Sequence, residues 1–292
     1  MKICFQCGDK NVNLELICAA CGAQPNFING FPSFLPNGAP EEGCGFESKF
    51  FEQLSEAESD NFWFISRNQL LIWCLKKYFP LAKNFFEIGC GTGFVLSAIE
   101  KNISAIHHLY GSDMYTDGLA FAASRLKSAS FFQMDARNIP ARNEYDVIGI
   151  FDVLEHIEED EMVLTQIHQA LKPGGGLIIT VPHHQFLWSE QDVYSHHVRR
   201  YSTKELETKV TNAGFKVIRK TSFVSLLLPL MLYSRLKVKN KTYTEADTHK
   251  ELKLPPFINS LLKKIMQFEI AFIKYGLNFP FGGSLLLIAH KE

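Results

Sequence analysis

The chain has 292 residues, of which 46% are hydrophobic, and its formal net charge at pH 7 is -1. At about 100–200 residues per domain, this length allows one large domain with a substantial core and one small domain. The near-neutral charge excludes a general electrostatic attraction to nucleic acid, although a local basic patch remains open. The first residues are polar and no continuous apolar run reaches about 18 residues, so we expect a cytoplasmic protein without a signal peptide or an ordinary transmembrane helix.

Four of the seven cysteines lie in the first 21 residues, in two Cys-x2-Cys pairs that are each followed by a glycine. This spacing is typical of tetrahedral Zn²⁺ coordination by four thiolates, and such a site is structural because it leaves no open position for a substrate. The alternative is a pair of disulfide bonds, which cytosolic proteins rarely keep. We therefore predict a zinc ribbon over residues 1–30, with the metal ligands Cys4, Cys7, Cys18 and Cys21.

Residues 31–80 are predicted to form a linker followed by two helices. The linker, up to residue 45, is rich in glycine and proline, which disfavour regular structure. From residue 46 to residue 78, apolar residues recur at helical spacing. Trp63 and Arg67 are four residues apart, so they share one helical face. That face either lines a substrate pocket or packs an aromatic helix against a sheet.

The most informative motif begins with the apolar run 85–88, which predicts a buried strand and leads into Gly89-x-Gly91-x-Gly93. A helical segment follows. Glycine allows the backbone to turn tightly and lets a ligand lie directly against it. The acid before the glycines, Glu87, can hold a cationic or hydroxyl-rich ligand. Dinucleotide-binding and phosphate-binding loops use similar glycines, so the motif alone does not identify the ligand. The segments around it are what make it specific.

Further predicted strands end in residues suited to the same ligand. The run 109–113 predicts a second strand that ends in Asp113, twenty residues past the last glycine, where an acid can accept hydrogen bonds from two ribose hydroxyls. Strand-like runs at 131–136, 145–151 and 171–182 alternate with helical segments, which predicts a parallel sheet with helices on both faces. Ligands of such sheets bind beyond the carboxyl ends of the strands. We therefore expect these strand ends to form one site.

Together these segments resemble the class I S-adenosylmethionine-dependent methyltransferases of the small-molecule type, in particular the ubiquinone/menaquinone-biosynthesis-like group. The resemblance covers about residues 60–220 and implies a Rossmann-like α/β fold, with a seven-stranded, mostly parallel sheet and helices on both faces, in a catalytic domain over residues 81–292. In this family a helix before the glycine motif folds over the cofactor as a lid. A dehydrogenase is the alternative, but it expects Gly-x-Gly-x-x-Gly instead.

The resemblance also implies which residues hold S-adenosylmethionine. They belong to the glycine motif and to the strand ends that follow it: Glu87, Gly89, Gly91, Gly93, Asp113, Met114, Asp135, Ala136 and Phe151. Asp135 matches an acid that faces the adenine amino group in the family. From the lid, Trp63 and Arg67 are expected on the substrate side.

A histidine-rich segment at 182–201 follows the predicted fifth strand. A subgroup of bacterial small-molecule methyltransferases has a similar Trp…Asp…His-x-Arg-Arg-Tyr segment that covers the active site. By this resemblance, the substrate-side candidates are Asp192, His197, Arg199 and Tyr201. A histidine can take a proton from an acceptor hydroxyl near neutral pH. The alternative is a loop of salt bridges and packed imidazoles, and the histidine spacing matches no standard metal site.

His156 follows the predicted fourth strand, near the expected position of the reactive methyl group. It either acts as a base, orients the acceptor, or caps the next helix. We predict His156, His197 and Asp192 as the catalytic residues, with the two histidines as candidates for the general base.

The region 223–278 is predicted as a helical insertion before a last, antiparallel strand. Its apolar stretches are followed or interrupted by lysines. Apolar helix faces rimmed with lysine can lie on a membrane surface, which would make the protein membrane-peripheral. The alternatives are a helical cap over the substrate pocket and a dimer interface.

The sequence therefore predicts a methyltransferase that acts on a small-molecule or lipid-linked acceptor, at oxygen or carbon. Amide and exocyclic amine nitrogen are disfavoured, because methyltransferases of this fold that act on them often carry an Asn/Asp-Pro-Pro-aromatic motif after the fourth strand, where this chain has Phe151-Asp152-Val153-Leu154. One alternative is a ribosomal RNA methyltransferase that holds RNA with its ribbon, although the ribbon carries only two lysines against two acids. A second alternative is a cofactor-binding interaction protein without catalysis.

Overall fold

The computed structural model describes residues 2–10, 12–13, 16–35, 49–238 and 252–292. The strands of the described residues are β1 (Asn26–Ile28), β2 (Phe31–Ser33), β3 (Asn84–Ile88), β4 (His108–Asp113), β5 (Ala129–Gln133), β6 (Tyr145–Phe151), β7 (Leu171–Pro182), β8 (Phe215–Phe223) and β9 (Ser284–Lys291). The helices are α1 (Lys49–Ala57), α2 (Phe62–Tyr78), α3 (Phe94–Asn102), α4 (Thr116–Arg125), α5 (Asp160–Ala170), α6 (Glu190–Tyr194), α7 (Thr203–Asn212), α8 (Leu228–Val238) and α9 (Pro256–Lys274).

One sheet runs through the described residues, in the order β1-β2-β5-β4-β3-β6-β7-β9-β8. From β5 to β7 neighbouring strands are parallel, whereas β9 is antiparallel to both β7 and β8. Strands β3 and β6 are almost continuously apolar and buried, because helices cover both faces of the sheet. This architecture confirms the predicted Rossmann-like fold class, with its antiparallel last strand.

The predicted strand count was too low, because two strands of the N-terminal segment extend the sheet. β1 and β2 form an antiparallel hairpin, and Ser33 of β2 pairs in parallel with Gln133 of β5. Phe34 then packs edge-to-face between Phe5 and Phe132, with ring centroids 5.7 and 5.6 Å apart. Each of these strands has three residues, too few for an alternating pattern to emerge from the sequence. β2 occupies the start of the predicted linker. Residues 36–48, which include the rest of that linker and the start of the predicted helical stretch, lie outside the described residues.

Among the described residues, two helices, α8 and α9, lie between β8 and β9, in the predicted insertion. The inner face of α9 joins the core cluster through Leu262, Met266, Ile270 and Ile273. At its start, the Asn259 side chain accepts a hydrogen bond from the amide of Phe62 and donates one to the carbonyl of Asp60. These contacts fix α9 behind α2. No helix of the described residues is long and apolar enough to cross a bilayer. Residues 239–251 of the insertion lie outside the described part of the chain.

Candidate functional site

The glycine motif forms the turn between β3 and α3, at the carboxyl edge of the sheet. Gly89 and Gly93 have φ values of 69° and 71°, in the left-handed region that favours glycine. A Cβ on Gly89 would lie 2.3 Å from Cγ2 of Val153. Gly93 is the N-cap of α3 and has no side chain of its own to cap it. The motif therefore presents bare backbone toward any ligand at this edge, as the sequence predicts.

Asp113 ends the neighbouring strand β4 and points at the same turn. Its Oδ2 accepts a hydrogen bond from the amide of Gly91 at 2.9 Å, and its Oδ1 accepts one from the amide of Tyr115 at 3.0 Å. The side chain is 8% exposed, and burial raises the pKa of its carboxyl to about 6 although these amides lower it. Each oxygen keeps a lone pair, so the carboxylate can still accept from a pair of ribose hydroxyls.

Glu87 belongs to β3 and lies beside Asp113 of the neighbouring strand β4. Within the described residues its Oε2 has no hydrogen-bond partner. The residue is 3% exposed, and burial raises the pKa of its carboxyl to about 8, against the attraction of Arg67. An orphaned acceptor inside a protein is costly unless a ligand supplies the donor. The amino group of S-adenosylmethionine is a donor of the right charge. The residues at this edge thus fit the cofactor that the glycine motif implies.

The predicted adenine end of the site is more occupied than expected. The Met114 carbonyl accepts a hydrogen bond from the Gln133 side-chain amide at 2.9 Å. The Asp135 carboxylate is held by the Arg137 guanidinium, with Nη2 2.7 Å from Oδ2 and Nε 3.1 Å from Oδ1. Ala136 is 7% exposed. The predicted contact between Asp135 and the adenine amino group therefore competes with this ion pair.

Phe151 was predicted on the cofactor side, but its ring lies in the core. It is 5% exposed and stacks on Phe85, with ring centroids 6.5 Å apart and planes 13° apart. Gly149 leaves room for this ring, because a Cβ there would lie 2.4 Å from Phe151 Cζ. The ring belongs to the buried core cluster that also contains Phe85.

Helix α1 covers the glycine motif. The Phe51 ring is 3% exposed, lies 3.7 Å from a Cβ built on Gly91, and would collide at 2.7 Å with one on Gly118. Thr92, inside the motif, donates a hydrogen bond to buried Glu58 at the end of α1, at 2.8 Å. This cover agrees with a lid over the cofactor edge.

Helix α2 brings Trp63 and Arg67 to the acceptor side of the sheet edge. The Arg67 guanidinium lies over the Trp63 ring, 4.5 Å from its centroid, as expected for residues on one helical face. Arg67 Nη1 also donates to Oδ2 of Asp152 at 2.5 Å, and Thr180 donates to the same oxygen at 3.1 Å. Asp152 follows β6 directly and has a φ of 55°. Such a left-handed aspartate is uncommon and is held here by its partners.

The histidine-rich segment folds back over the end of β6, around buried Asp192. Its Oδ1 accepts from the Arg200 Nε at 2.7 Å and lies 2.9 Å from Nδ1 of His197. Its Oδ2 accepts from the Ser189 amide at 2.8 Å and from Arg235 of α8 at 3.2 Å. Burial alone would raise the pKa of this carboxyl, but His197 and the two arginines lower it to about 2. Asp192 is therefore a charged anchor that orients His197.

His156 and His197 meet edge-to-face, with ring centroids 4.8 Å apart. Burial, together with the proximity of His197, lowers the pKa of His156 to about 4, so His156 is neutral at physiological pH. Beside both rings lies Glu155, which is fully buried with no hydrogen-bond partner for either side-chain oxygen. The two predicted base candidates are thus brought together, with an acid between them that the sequence did not single out.

Arg199 and Tyr201 point away from this cluster, to Asp160 at the start of α5. Asp160 Oδ2 accepts from Arg199 Nη1 at 2.5 Å, from the Tyr201 hydroxyl at 2.7 Å and from Lys209 at 2.5 Å. Tyr201 is 0% exposed. This network ties the histidine-rich segment to α5 and α7, as in the salt-bridge interpretation, and it argues against direct substrate contact by these two residues.

The four N-terminal cysteines converge in the segment that precedes β1. The Sγ atoms of Cys4 and Cys21 are 3.7 Å apart, and those of Cys7 and Cys18 are 3.6 Å apart. All four lie within 4.8 Å of one another, and the cysteines are free thiols. Thiolates around one tetrahedral Zn²⁺, with Zn–S bonds of about 2.3 Å, are separated by about 3.8 Å.

The sequence interpretation missed several residues that shape the site. Asp152 and Glu155 had a signal, because both follow a buried strand at the same edge as the predicted ligands. Glu58 and Arg200 gave only a weak signal, and Arg235 gave none, because it comes from a helix 43 residues away from the Asp192 that it binds.

Residues 58–220, more than half of the chain, match the family described as the methyltransferase domain. The chain belongs to this family of S-adenosylmethionine-dependent methyltransferases. It is 27% identical over 141 residues to the mitochondrial ubiquinone biosynthesis O-methyltransferase of Candida albicans, covering 44% of this chain and 43% of that protein. It is also 27% identical over 119 residues to a ubiquinone/menaquinone biosynthesis C-methyltransferase of Methylococcus capsulatus, covering 37% of this chain and 48% of that protein.

Among solved structures, the methyltransferase is similar to phosphoethanolamine N-methyltransferase 2 of Haemonchus contortus in complex with S-adenosyl-L-methionine. The TM-score is 0.57 at 21% identity, over 84% of this chain and 57% of that one. This likeness shows the fold alone. The chain spans less than half the length of the two curated relatives, whose activities differ in the atom methylated. The enzyme class is therefore shown, whereas the acceptor is not.

Proposed function

We propose that this methyltransferase transfers a methyl group to a small-molecule or lipid-linked acceptor, at oxygen or carbon. The observation that carries the proposal is the enclosure of the acceptor side. Glu155 and Asp192 are at most 1% exposed, and Arg67 is 9% exposed, because α2 and the histidine-rich segment cover the end of β6. An enclosed site of acids and histidines favours a small reacting group over a folded macromolecule.

S-adenosylmethionine supplies an electrophilic methyl group when it is bound. The chain's own residues would orient it and exclude water: Glu87 binds the amino group, Asp113 binds the ribose, and Phe51 closes the glycine motif from outside. Positioning of this kind accounts for much of the rate enhancement of a displacement reaction. For an oxygen acceptor a proton must also leave, and His197, oriented by Asp192, is the better placed of the two predicted bases.

The competing RNA methyltransferase is less well supported. The described part of the ribbon carries exposed Lys2 and Lys10, and too few cations to neutralise several phosphates. The interaction protein without catalysis is disfavoured by membership in an enzyme family.

The proposal is tested with S-adenosylmethionine labelled on its methyl group, incubated with the enzyme and total cell extract. The extract is then separated into lipid, small-molecule, RNA and protein fractions. We expect label in the lipid or small-molecule fraction. Label confined to RNA would overturn the proposal in favour of the RNA alternative, and donor binding without transfer to any fraction would favour the interaction protein.

We further propose that the four N-terminal cysteines bind one structural Zn²⁺. The support is their sulfur separations, together with the amides of Gln6 and Cys7, which donate to Cys4 Sγ at 3.4 Å as thiolate sites require. The metal would hold the N-terminal segment in place, and the β1–β2 hairpin connects that segment to β5. Ser33 of β2 pairs with Gln133 of β5, next to the predicted adenine end of the site.

Protein purified without chelator is therefore expected to release about one equivalent of zinc when a mercurial blocks its thiols. Cys18→Ser should release far less, because it removes one of four thiolates. Cys74→Ser is the matched control. Cys74 is a buried residue of α2 and is far in sequence from the four N-terminal cysteines. Zinc release well below one equivalent from the unmodified protein would contradict the site.

We also propose that the outer face of α9 contacts an anionic membrane surface, as suits a lipid-linked acceptor. Exposed apolar residues recur along one face: Phe257 (81% exposed), Leu261 (50%), Phe268 (61%) and Phe272 (37%). Exposed Lys264 lies on the same face and Lys274 follows it, whereas the one acid of this helix, Glu269, is buried. Apolar side chains flanked by lysines suit a negatively charged lipid surface.

In flotation assays with phosphatidylserine-containing vesicles at low salt, we expect the protein to rise with the lipid. The double variant Phe268→Ser/Phe272→Ser should stay behind, because it removes two of the inserted rings. Phe27→Ser, at a 64% exposed position of the ribbon, is the control that should still float. Failure of the unmodified protein to float would reject the membrane proposal and leave a cap or a dimer interface.

A further inference from the structure

Three side chains that the cofactor does not need converge beyond the carboxyl end of β6. Glu155 and His156 belong to the short helical turn after this strand, and His197 follows α6. One nitrogen or oxygen atom from each lies within 4.8 Å of the others. One carboxylate and two imidazoles form a donor set that binds divalent transition metals. The set was not visible in the sequence, because 41 residues separate the two histidines.

Glu155 is the residue that most needs an explanation. It is 0% exposed, and within the described part of the chain neither of its oxygens has a hydrogen-bond partner. The nearest cationic candidate is Nε2 of His197, at 4.0 Å from Oε1, which is too far for a hydrogen bond. The neighbouring carboxylates Asp152 and Asp192 form ion pairs with Arg67 and Arg200, respectively. A buried carboxylate without a partner is costly unless it is neutralised or coordinates a metal.

The two histidines are prepared to act as ligands. His197 Nδ1 faces the charged Asp192 carboxylate at 2.9 Å, which places the ring proton on Nδ1 and leaves the Nε2 lone pair facing Glu155. A carboxylate behind the distal nitrogen is the usual support of a metal-binding imidazole. The His156 ring is held by backbone hydrogen bonds to Ser195 and His196. One nitrogen of each ring therefore lies within reach of an ion placed beside Glu155.

We propose that Glu155, His156 and His197 bind one divalent transition-metal ion, whose open position takes a hydroxyl group of the acceptor. Three protein ligands leave one tetrahedral position for a substrate, unlike the four cysteines of the ribbon. The inference rests on the proposed methyl transfer, narrows it to oxygen acceptors, and makes His156 and His197 metal ligands in place of general bases.

In this reaction the bound hydroxyl loses its proton to water, because coordination to the ion lowers its pKa. Its oxygen then attacks the methyl carbon. The bond between that carbon and sulfur breaks, and sulfur keeps the electron pair, so the products are a methyl ether and a neutral thioether. No oxidant or reductant is required.

The test measures metal binding to the full-length protein without any donor or acceptor. Mn²⁺ is the probe, because it accepts nitrogen and oxygen ligands but has little affinity for a thiolate site already filled with zinc. The loss of the free Mn²⁺ signal in electron paramagnetic resonance gives the amount bound. We expect about one Mn²⁺ per chain, and at least tenfold weaker binding in Glu155→Gln and in His197→Gln.

His196→Asn is the matched control, since it removes a neighbouring histidine at a φ of 55° that asparagine tolerates. It should bind Mn²⁺ like the unmodified protein. Glu155→Gln keeps the shape of the side chain, and its thermal unfolding checks that it is folded. Mn²⁺ should raise the unfolding temperature of the unmodified protein and not that of the variant.

Absence of bound Mn²⁺ in the unmodified protein, or equal binding in Glu155→Gln, would overturn the metal proposal. Its failure is distinguishable from failure of the proposed function. Methyl transfer to small molecules that persists unchanged in Glu155→Gln rejects the metal centre and keeps the function. Mn²⁺ binding lost in Glu155→Gln, in a protein that methylates nothing, keeps the metal site and rejects the reaction.

Discussion

Replacing Asp113 with alanine is expected to raise the dissociation constant for S-adenosylmethionine by on the order of tenfold or more. A hydrogen bond to a charged group contributes about 1.5–3 kcal/mol, and every 1.4 kcal/mol corresponds to about a factor of ten in affinity. Asp113 is 8% exposed at the end of β4 and accepts backbone hydrogen bonds from Gly91 and Tyr115. In the variant the ribose hydroxyls would lose this charged acceptor. Isothermal titration calorimetry measures the change.

The matched control for this prediction is Asp117→Ala. Asp117 lies four residues further along, in the first turn of α4, and is exposed. The substitution Asp117→Ala removes the same charge but lies away from the carboxyl edge of the sheet. The affinity for S-adenosylmethionine should therefore stay within about twofold, the usual range for such surface changes. Equal affinities of Asp113→Ala and the unmodified enzyme, with both proteins folded by circular dichroism, would show that the ribose lies elsewhere.

Replacing Arg67 with methionine is expected to cost about 3–5 kcal/mol of the free energy of unfolding, which is typical of removing one partner of a buried ion pair. The Arg67 and Asp152 side chains are 11% and 21% exposed, and their ion pair is 2.5 Å long. Arg67 also lowers the pKa of three other buried carboxyls, Glu58, Glu87 and Glu155. Urea unfolding of the variant, against the unmodified protein, measures the loss.

The sign of the pH dependence follows from the raised pKa of Glu87. When the pKa of a carboxyl is higher in the folded than in the unfolded protein, the protein loses stability as the pH rises between those two pKa values. For Glu87 they are the ordinary 4.5 and about 8 in the folded state. Without Arg67 that folded pKa rises further. The destabilisation should therefore be larger at pH 8 than at pH 5.

Two further variants make the Arg67 prediction specific. Lys76→Met, at an exposed position of the same helix, should change stability by no more than about 0.5 kcal/mol. Adding Asp152→Asn to Arg67→Met should recover part of the loss, because it removes one of the carboxylates left without a partner. If Arg67→Met is as stable as Lys76→Met, the ion pair has no part in holding the acceptor side together.

The sheet and the cofactor edge followed from the sequence because their signals are local. The apolar run before Gly89 and the acid at Asp113 both lie at strand ends, and parallel strands place these ends along one edge. The structure added β1 and β2 to the sheet, whose shortness left no periodic pattern to detect.

Particular residues near the edge could not be assigned from their positions alone. Phe151 and Tyr201 were predicted beside ligands, yet their side chains lie in the interior, because the direction of a side chain depends on what packs against it. Asp135 was predicted as free for adenine, yet it pairs with Arg137 two residues away. Only the turn geometry after β5 makes that pairing possible.

The sequence by itself determined the fold class and the enzyme family, since these depend on the order of short motifs along the chain. The tertiary structure decided the acceptor side. There Arg67 reaches Asp152 across 85 positions, Arg235 reaches Asp192, and Glu155 and His156 meet His197. Such clusters depend on how helices close over the sheet, and no spacing within one segment encodes them.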